Sequence, residues 1–217
     1  MMGIVAIAVP AGIVFLLAWY FLFLRYNRRQ AIQVLRRLRT AFAGEAQITG
    51  VHWLTPSRLS VNLRVMGAML QCVTLHLQLL PRQLPFHWAW SRLAKRQETM
   101  TFEADLECPP SFNLDVQNQR WCGRTRKFPR NLQRLAVNHC GPFVVTTRND
   151  WQRDITGMLG ALVASRDCDF LSVTYRKTSP HLSATLPLES IAVESECDAQ
   201  LFEVLRELAS CGEASRF

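Results

Sequence analysis

The sequence predicts an α+β protein, in which one N-terminal transmembrane helix precedes a single domain with a large, mostly antiparallel sheet and packed helices. Three observations lead to this prediction. Residues 4–24 carry no charge and are long enough to cross a bilayer. Several later segments alternate strictly between apolar and polar side chains, which is typical of strands with one dry and one wet face. Segments with helical periodicity lie between and after these strands.

Residues 4–24 are the first element. A helix of 21 residues extends over roughly 32 Å, which matches the hydrocarbon thickness of a bilayer. The segment ends in aromatic residues followed by arginine, as at a membrane interface. It is longer than the apolar part of a signal peptide and has no basic side chain before it. We therefore expect residues 1–25 to be a retained transmembrane anchor.

Arginines follow the apolar segment directly, and no charged side chain precedes it. Lysine and arginine next to a spanning helix prefer the cytoplasmic side of the membrane. This asymmetry predicts a single-pass protein of the cell membrane with its N-terminus outside and its C-terminal part in the cytoplasm. The residues expected to flank the membrane are Arg25, Arg28, Arg29, Arg36, Arg37 and Arg39.

Residues 26–44 are predicted to form a basic juxtamembrane helix. Apolar residues recur there at helical spacing, at Ile32, Leu35, Leu38 and Phe42. Two interpretations are open. The helix lies on anionic lipid headgroups, with about 1 kcal/mol from each nearby cation, or it is a stalk whose arginines only fix the topology.

Residues 45–217 are predicted to form one cytoplasmic α+β domain of nine strands. The strands are expected after Ala46 and around 57–65, 72–79, 100–106, 112–116, 132–138, 142–147, 170–176 and 181–188. Helices are expected from Asn149 and from Asp198, the last with Leu201, Leu205 and Leu208 facing inward.

Residues 84–97 are predicted to form a short helix between the third and fourth strands. Pro85 suits its first turn, and Phe86, Trp90, Leu93 and Gln97 fall on one stripe, with Trp88 outside it. We expect this stripe to pack on the sheet. The alternative is an interfacial membrane helix, because Arg92, Lys95 and Arg96 accompany the aromatic residues.

The net charge of +8 belongs mostly to the membrane flank. Six of the 25 basic side chains lie in residues 1–44, and the other 19 are nearly balanced by the 17 acids, so a nucleic-acid partner is not expected. One basic segment stands out within the domain. Cations combined with aromatic residues suit anionic lipid or an acidic protein surface, and we expect these cations to face away from the membrane, free for an acidic partner. A solvated loop without a ligand is the alternative. The residues of this segment are Arg120, Trp121, Arg124, Arg126, Lys127 and Arg130.

Motifs for catalysis or cofactor binding are missing from the sequence. It has no G-x-S-x-G, no Walker loop and no G-x-G-x-x-G. The seven cysteines are scattered without C-x-x-C spacing, which fits free thiols in a reducing compartment. The neighbours His139 and Cys140 would point to opposite faces of a strand, and Glu103 and Asp105 would share its wet face. We therefore predict no metal and no cofactor.

The function expected from the sequence is binding, as a membrane-anchored scaffold or adaptor with the bilayer and an unknown protein as partners. A lipid-handling or lipid-sensing module is the alternative, and an enzyme of unidentified class ranks third.

Overall fold

The computed structural model describes residues 2–42, 46–65, 70–110, 112–118, 135–140, 143–148, 170–189 and 203–210. These residues form three helices and one sheet. The helices are α1 (Met2–Ala41), α2 (Pro85–Leu93) and α3 (residues 203–210). The α+β prediction is confirmed.

Helix α1 runs without interruption through both the predicted anchor and the predicted juxtamembrane helix, with Pro10 inside it. Its two halves have different surroundings. Every side chain from Val9 to Ala18 is exposed, although nearly all are apolar. The second half is packed against the sheet by one stripe at helical spacing, which consists of Asn27, Ala31, Val34, Leu38 and Phe42.

This buried stripe differs from the predicted one at its beginning. Leu38 and Phe42 of the predicted apolar stripe are buried, whereas Ile32 is 48% exposed. Neither interpretation of this helix, on lipid headgroups or as a stalk, includes its packing against the sheet. The apolar residues of this half cover two overlapping stripes, and the sheet packs on the one that contains Ala31 and Val34.

The sheet contains nine strands in the described part of the chain. They are β1 (Ala46–Thr55), β2 (Arg58–Val65), β3 (Leu70–Gln78), β4 (Thr99–Leu106), β5 (Leu114–Asn118), β6 (Leu135–Cys140), β7 (Phe143–Arg148), β8 (Ser172–Tyr175) and β9 (Leu182–Pro187). Their order is β1-β2-β3-β4-β9-β8-β5-β7-β6, and neighbouring strands are antiparallel.

Apolar and polar side chains alternate along the strands, so the sheet has one dry face and one polar face. In β4, Met100, Phe102 and Ala104 are buried, while the residues between them are partly exposed. The dry face carries the second half of α1 and also α3, whose Leu205 and Leu208 are buried as predicted. The hydroxyl of Tyr175, on this face, donates a hydrogen bond of 2.8 Å to the carbonyl of Leu208. The core therefore lies between the sheet and these two helices.

Strand β3 contains an irregularity that turns one side chain outward. The register with β4 shifts between Gln71 and Thr74, and Cys72 adopts a φ of 44°. As a result Gln71 and Cys72 are both exposed before the alternation resumes at Val73. Cys72 is a free thiol on the domain surface.

The predicted packing of α2 on the sheet is wrong. The stripe that we expected to be buried is exposed: Phe86 is 89%, Trp90 66% and Leu93 80% exposed. Ser91 is the residue of α2 that is buried. The side of α2 that faces the protein carries the buried Ser91 and Trp88, whose ring packs against Trp19 of α1.

Candidate membrane-facing site

The middle of α1 is joined to the chain between β3 and β4 by a group of polar side chains. We call this group, together with Trp19, the neck; its members are Trp19, Asn27, Gln30, Arg82, Gln83 and Glu98.

Asn27 is fully buried in the neck. Its amide nitrogen donates to the carbonyl of Leu80 and to Oε1 of Gln83, each at 3.2 Å. A buried amide must find partners or lose the free energy of hydration without compensation. Asn27 therefore holds α1 in one rotational setting against the segment before α2.

Glu98 and Arg82 form the charged part of the neck, with 2.8 Å between Oε1 and Nη1. Their side chains are 11% and 18% exposed. The carboxylate also accepts hydrogen bonds from the backbone N–H of Leu80 and from Nε2 of Gln30, each at 3.1 Å. Arg82 donates to Oε1 of Gln30 at 2.8 Å and lies 5.1 Å from the ring centroid of Tyr26. This network joins α1 to both ends of the α2 segment.

Trp19 extends the neck into the apolar half of α1. Its indole N–H donates to the carbonyl of Arg82 at 3.1 Å, and its ring lies edge-on to Trp88 with 6.4 Å between centroids. Phe23 packs on the same ring at 4.6 Å. An amphipathic indole with one polar contact and one apolar surface is typical of the membrane–water interface.

The six flanking arginines all lie on exposed positions of α1, but they are not at one level. Arg25, Arg28 and Arg29 follow the apolar run directly, and Arg28 lies 5.9 Å from the ring centroid of Trp53. From Arg25 to the later group at Arg36–Arg39, the helix rises by about 17–21 Å. This exceeds the Debye length of about 8 Å. The later arginines therefore lie about two Debye lengths beyond the end of the apolar segment.

The open polar face of the sheet contains two histidine–carboxylate pairs. Nε2 of His76 lies 3.5 Å from Glu103, and Nδ1 of His181 lies 3.9 Å from Asp105. Nδ1 of His181 accepts the N–H of Leu106 at 3.2 Å, so it cannot also donate to Asp105. As predicted, Glu103 and Asp105 share the wet face, and both are partly exposed.

Asp115 lies further along this face and has a shifted pKa. Burial raises the pKa of its carboxyl group, and hydrogen bonds from Gln117 and Thr174 together with the charge of Arg176 counteract part of the rise. Its hydrogen bonds measure 3.0 Å from Gln117 and 3.3 Å from Thr174.

Two grooves lie between described residues, and both are partly open to solvent. One of about 140 Å³ lies between α1 and the end of β9 and is lined by residues that include Gln33, Arg37 and Glu189. Another of about 260 Å³ lies on the polar face next to His76 and Glu103. Pockets that enclose small ligands usually measure about 300–1,000 Å³. Across the part of the chain that the structure describes, no cluster of three metal-ligating side chains is found.

The predicted basic surface lies outside the described residues. All six of its members, Arg120, Trp121, Arg124, Arg126, Lys127 and Arg130, fall in residues 119–134. The backbone of His139 and Cys140 belongs to β6, but their side chains are likewise not described.

The site residues that sequence reasoning missed are the polar members of the neck. A signal for Asn27 exists, because it continues the buried spacing of Ala31, Val34 and Leu38 by one turn. Arg82, Gln83 and Glu98 lie in loops without periodicity, so no pattern connects them with α1.

The fold and the neck together define a class: an α+β domain carried on a helix that is long and apolar enough to cross a membrane. A signal sequence would meet the same criteria of length and composition. No known protein family and no curated protein matches the sequence. Among solved structures, the mycobacterial trehalose monomycolate transport factor A is similar at 12% identity with a TM-score of 0.44, over 84% of this chain and 94% of that one.

Proposed function

We propose that this chain is a single-pass membrane protein whose cytoplasmic domain works by binding, as a scaffold or adaptor held at the membrane surface. The observation that carries the proposal is the continuity of α1. One half of this helix is apolar and exposed, and the other half is built into the core of the domain. An apolar helix surface without a protein partner is stable in lipid and costly in water.

The contacts of the neck support the proposal that the domain is held in a fixed position relative to α1. A flexible tether would let the domain move freely, whereas the contacts of Asn27, Gln30 and Trp19 attach α1 to the segment between β3 and β4. A binding surface on such a domain stays at a constant height and orientation above the bilayer.

Binding rather than catalysis is supported by the contacts of two buried or half-buried carboxylates. Glu98 is engaged by Arg82, Gln30 and a backbone N–H, and Asp115 by Gln117 and Thr174. These contacts are structural. For the binding surface itself we propose the basic segment at Arg124, Arg126 and Lys127, where the sequence combines cations with aromatic residues.

The test of binding is co-purification from cross-linked cells with the full chain in detergent. We expect a partner with an acidic surface to be recovered with the wild-type protein and lost when Arg124, Arg126 and Lys127 are replaced by serine. A matched control replaces Arg36, Arg37 and Arg39 by serine, which removes the same charge from the exposed side of α1. Equal recovery with the loop variant and the wild type would contradict the assignment of this surface.

Orientation can be tested through Cys72, whose side chain is exposed without any unfolding. A maleimide reagent that cannot cross membranes should leave Cys72 unlabelled in sealed cells and label it after permeabilisation. The Cys72→Ser variant identifies the corresponding mass step. Labelling of Cys72 in sealed cells would place the domain outside.

A lipid-sensing module is the second candidate, favoured by the exposed apolar side of α2. The grooves of about 140 and 260 Å³ are too small to enclose an acyl chain. Among the described residues, the exposed side of α2 therefore supports contact with a lipid surface.

A further inference from the structure

We propose that α2 lies in the membrane interface, with Phe86, Trp90 and Leu93 inserted among the acyl chains of the leaflet next to the domain. The protein would then hold the membrane at two places, through α1 and through α2. This inference rests on the proposed function, because it requires α1 to span the bilayer.

The depth of α2 follows from its contact with α1. Trp88 of α2 packs against Trp19, with 6.4 Å between ring centroids. Trp19 precedes Arg25 by six residues, or about 9 Å along the helix axis. If Arg25 lies among the headgroups, Trp88 lies at the boundary between headgroups and acyl chains, where interfacial helices bury their apolar face by about 5–10 Å.

The direction of the apolar face follows from the same contact. At 100° per residue, Trp88 and Ser91 lie on the opposite side of α2 from the stripe of Phe86, Trp90 and Leu93. Since Trp88 faces α1 and Ser91 is buried, the stripe points away from the protein. At the depth of Trp19, the space away from the protein is occupied by lipid.

The charges of this segment suit a leaflet with anionic headgroups. Residues 84–97 contain no acid, and Arg92, Lys95 and Arg96 are exposed. Arg92 lies 5.5 Å from the ring centroid of Trp88, at the boundary between the apolar and polar sides. A helix with aromatic residues on one side and cations beside them is typical of helices that lie in the interface plane.

The experiment uses the full chain in nanodiscs of zwitterionic and anionic phospholipid, with the photo-crosslinker p-benzoylphenylalanine at one position at a time. Positions 86 and 93 test the proposal, since both side chains are exposed and their replacement leaves the core intact. Position 22 tests the anchor, because Leu22 is 68% exposed in the apolar half of α1. Position 64 is the control for water, because Arg64 is exposed at the far end of β2.

We expect lipid adducts at positions 86 and 93 within about threefold of the yield at position 22, and about tenfold or more above position 64, because acyl chains meet only side chains below the headgroups. Adducts at position 22 with none at 86 and 93 would overturn the inference and leave the anchor intact. No adduct at position 22 would instead contradict the anchor. In cell membranes, crosslinks from 86 and 93 to a protein rather than to lipid would show that α2 is a protein docking surface, which also overturns the inference.

Discussion

The ion pair between Arg82 and Glu98 should contribute measurably to stability, unlike most ion pairs on a protein surface. Replacing Glu98 by glutamine keeps the size of the side chain and an oxygen that can accept the N–H of Leu80. It removes the charge that Arg82 contacts at 2.8 Å. The variant therefore leaves Arg82 without a counter-charge, and it also loses the hydrogen bond that the second carboxylate oxygen accepts from Nε2 of Gln30.

The expected loss of stability depends on how deeply the ion pair is buried. Breaking a fully buried pair on one side costs about 3–5 kcal/mol, whereas an exposed pair contributes about 0–1 kcal/mol. With side chains 11% and 18% exposed, the Glu98→Gln variant should lose about 2 kcal/mol. For a chain of this size that corresponds to a decrease in Tm of about 4–8 °C.

The assay is thermal unfolding of the full chain in nanodiscs, with Arg82→Gln and the double variant completing a mutant cycle. The matched control is Glu103→Gln, whose partner His76 is 37% exposed, and which should change the stability by less than about 1 kcal/mol. A coupling energy below about 0.5 kcal/mol between Arg82 and Glu98 would refute the importance of the neck.

Three further predictions concern the core, the polar face and the basic segment. Leu38→Ala should destabilise the protein by about 2–5 kcal/mol because Leu38 is 3% exposed, whereas Ile32→Ala should cost less than about 0.5 kcal/mol. Equal losses in denaturant unfolding would mean that α1 does not turn the stripe of Leu38 toward the sheet. The raised pKa of Asp115 means that the folded state binds its proton more tightly, so its contribution to stability falls as pH rises from its ordinary pKa of 3.8 through the raised one. Asp115→Asn should therefore gain stability relative to the wild type as pH rises through that interval, and a difference in Tm that stays constant with pH would contradict this. The third prediction uses a fragment of residues 26–217, which keeps the buried stripe of α1, and measures its sedimentation with anionic vesicles. Serine at Arg124, Arg126 and Lys127 should leave the sedimented amount unchanged, whereas Phe86→Ser with Leu93→Ser should reduce it. Loss of sedimentation in the first variant but not in the second would place the basic segment on the membrane.

Most of the fold could be predicted because its signals are local. The alternation of apolar and polar residues extends over most of β2, β3 and β4 and identifies which side chains are buried. The charge-free run of residues 4–24 likewise needs no tertiary information. What local patterns cannot give is the partner of each apolar face.

Helices α1 and α2 show in two different ways that periodicity does not identify the partner of an apolar face. In α1 the spacing of the apolar residues is compatible with two overlapping stripes. The stripe that packs on the sheet begins with a polar residue, Asn27. In α2 the pattern correctly identified the apolar side, at Phe86, Trp90 and Leu93, but not what surrounds it. Periodicity measures amphipathicity, and a helix that faces lipid has the same periodicity as one that faces a core.

The neck was beyond prediction from sequence for a different reason. Its hydrogen bonds to α1 join residues that are 52 to 68 positions apart, from Arg82–Gln30 to Gln30–Glu98. Single polar residues at such separations carry no pattern until the fold brings them together.

The most direct test of the account is the fate of residues 1–25 in the cell. Intact mass measured on the protein extracted from carbonate-washed membranes should include these residues, and a variant that lacks them should leave the washed membranes. A mature chain that begins after residue 25 would show that the apolar segment is a cleaved signal sequence. Full retention of the shortened variant would show that another part of the chain anchors the protein.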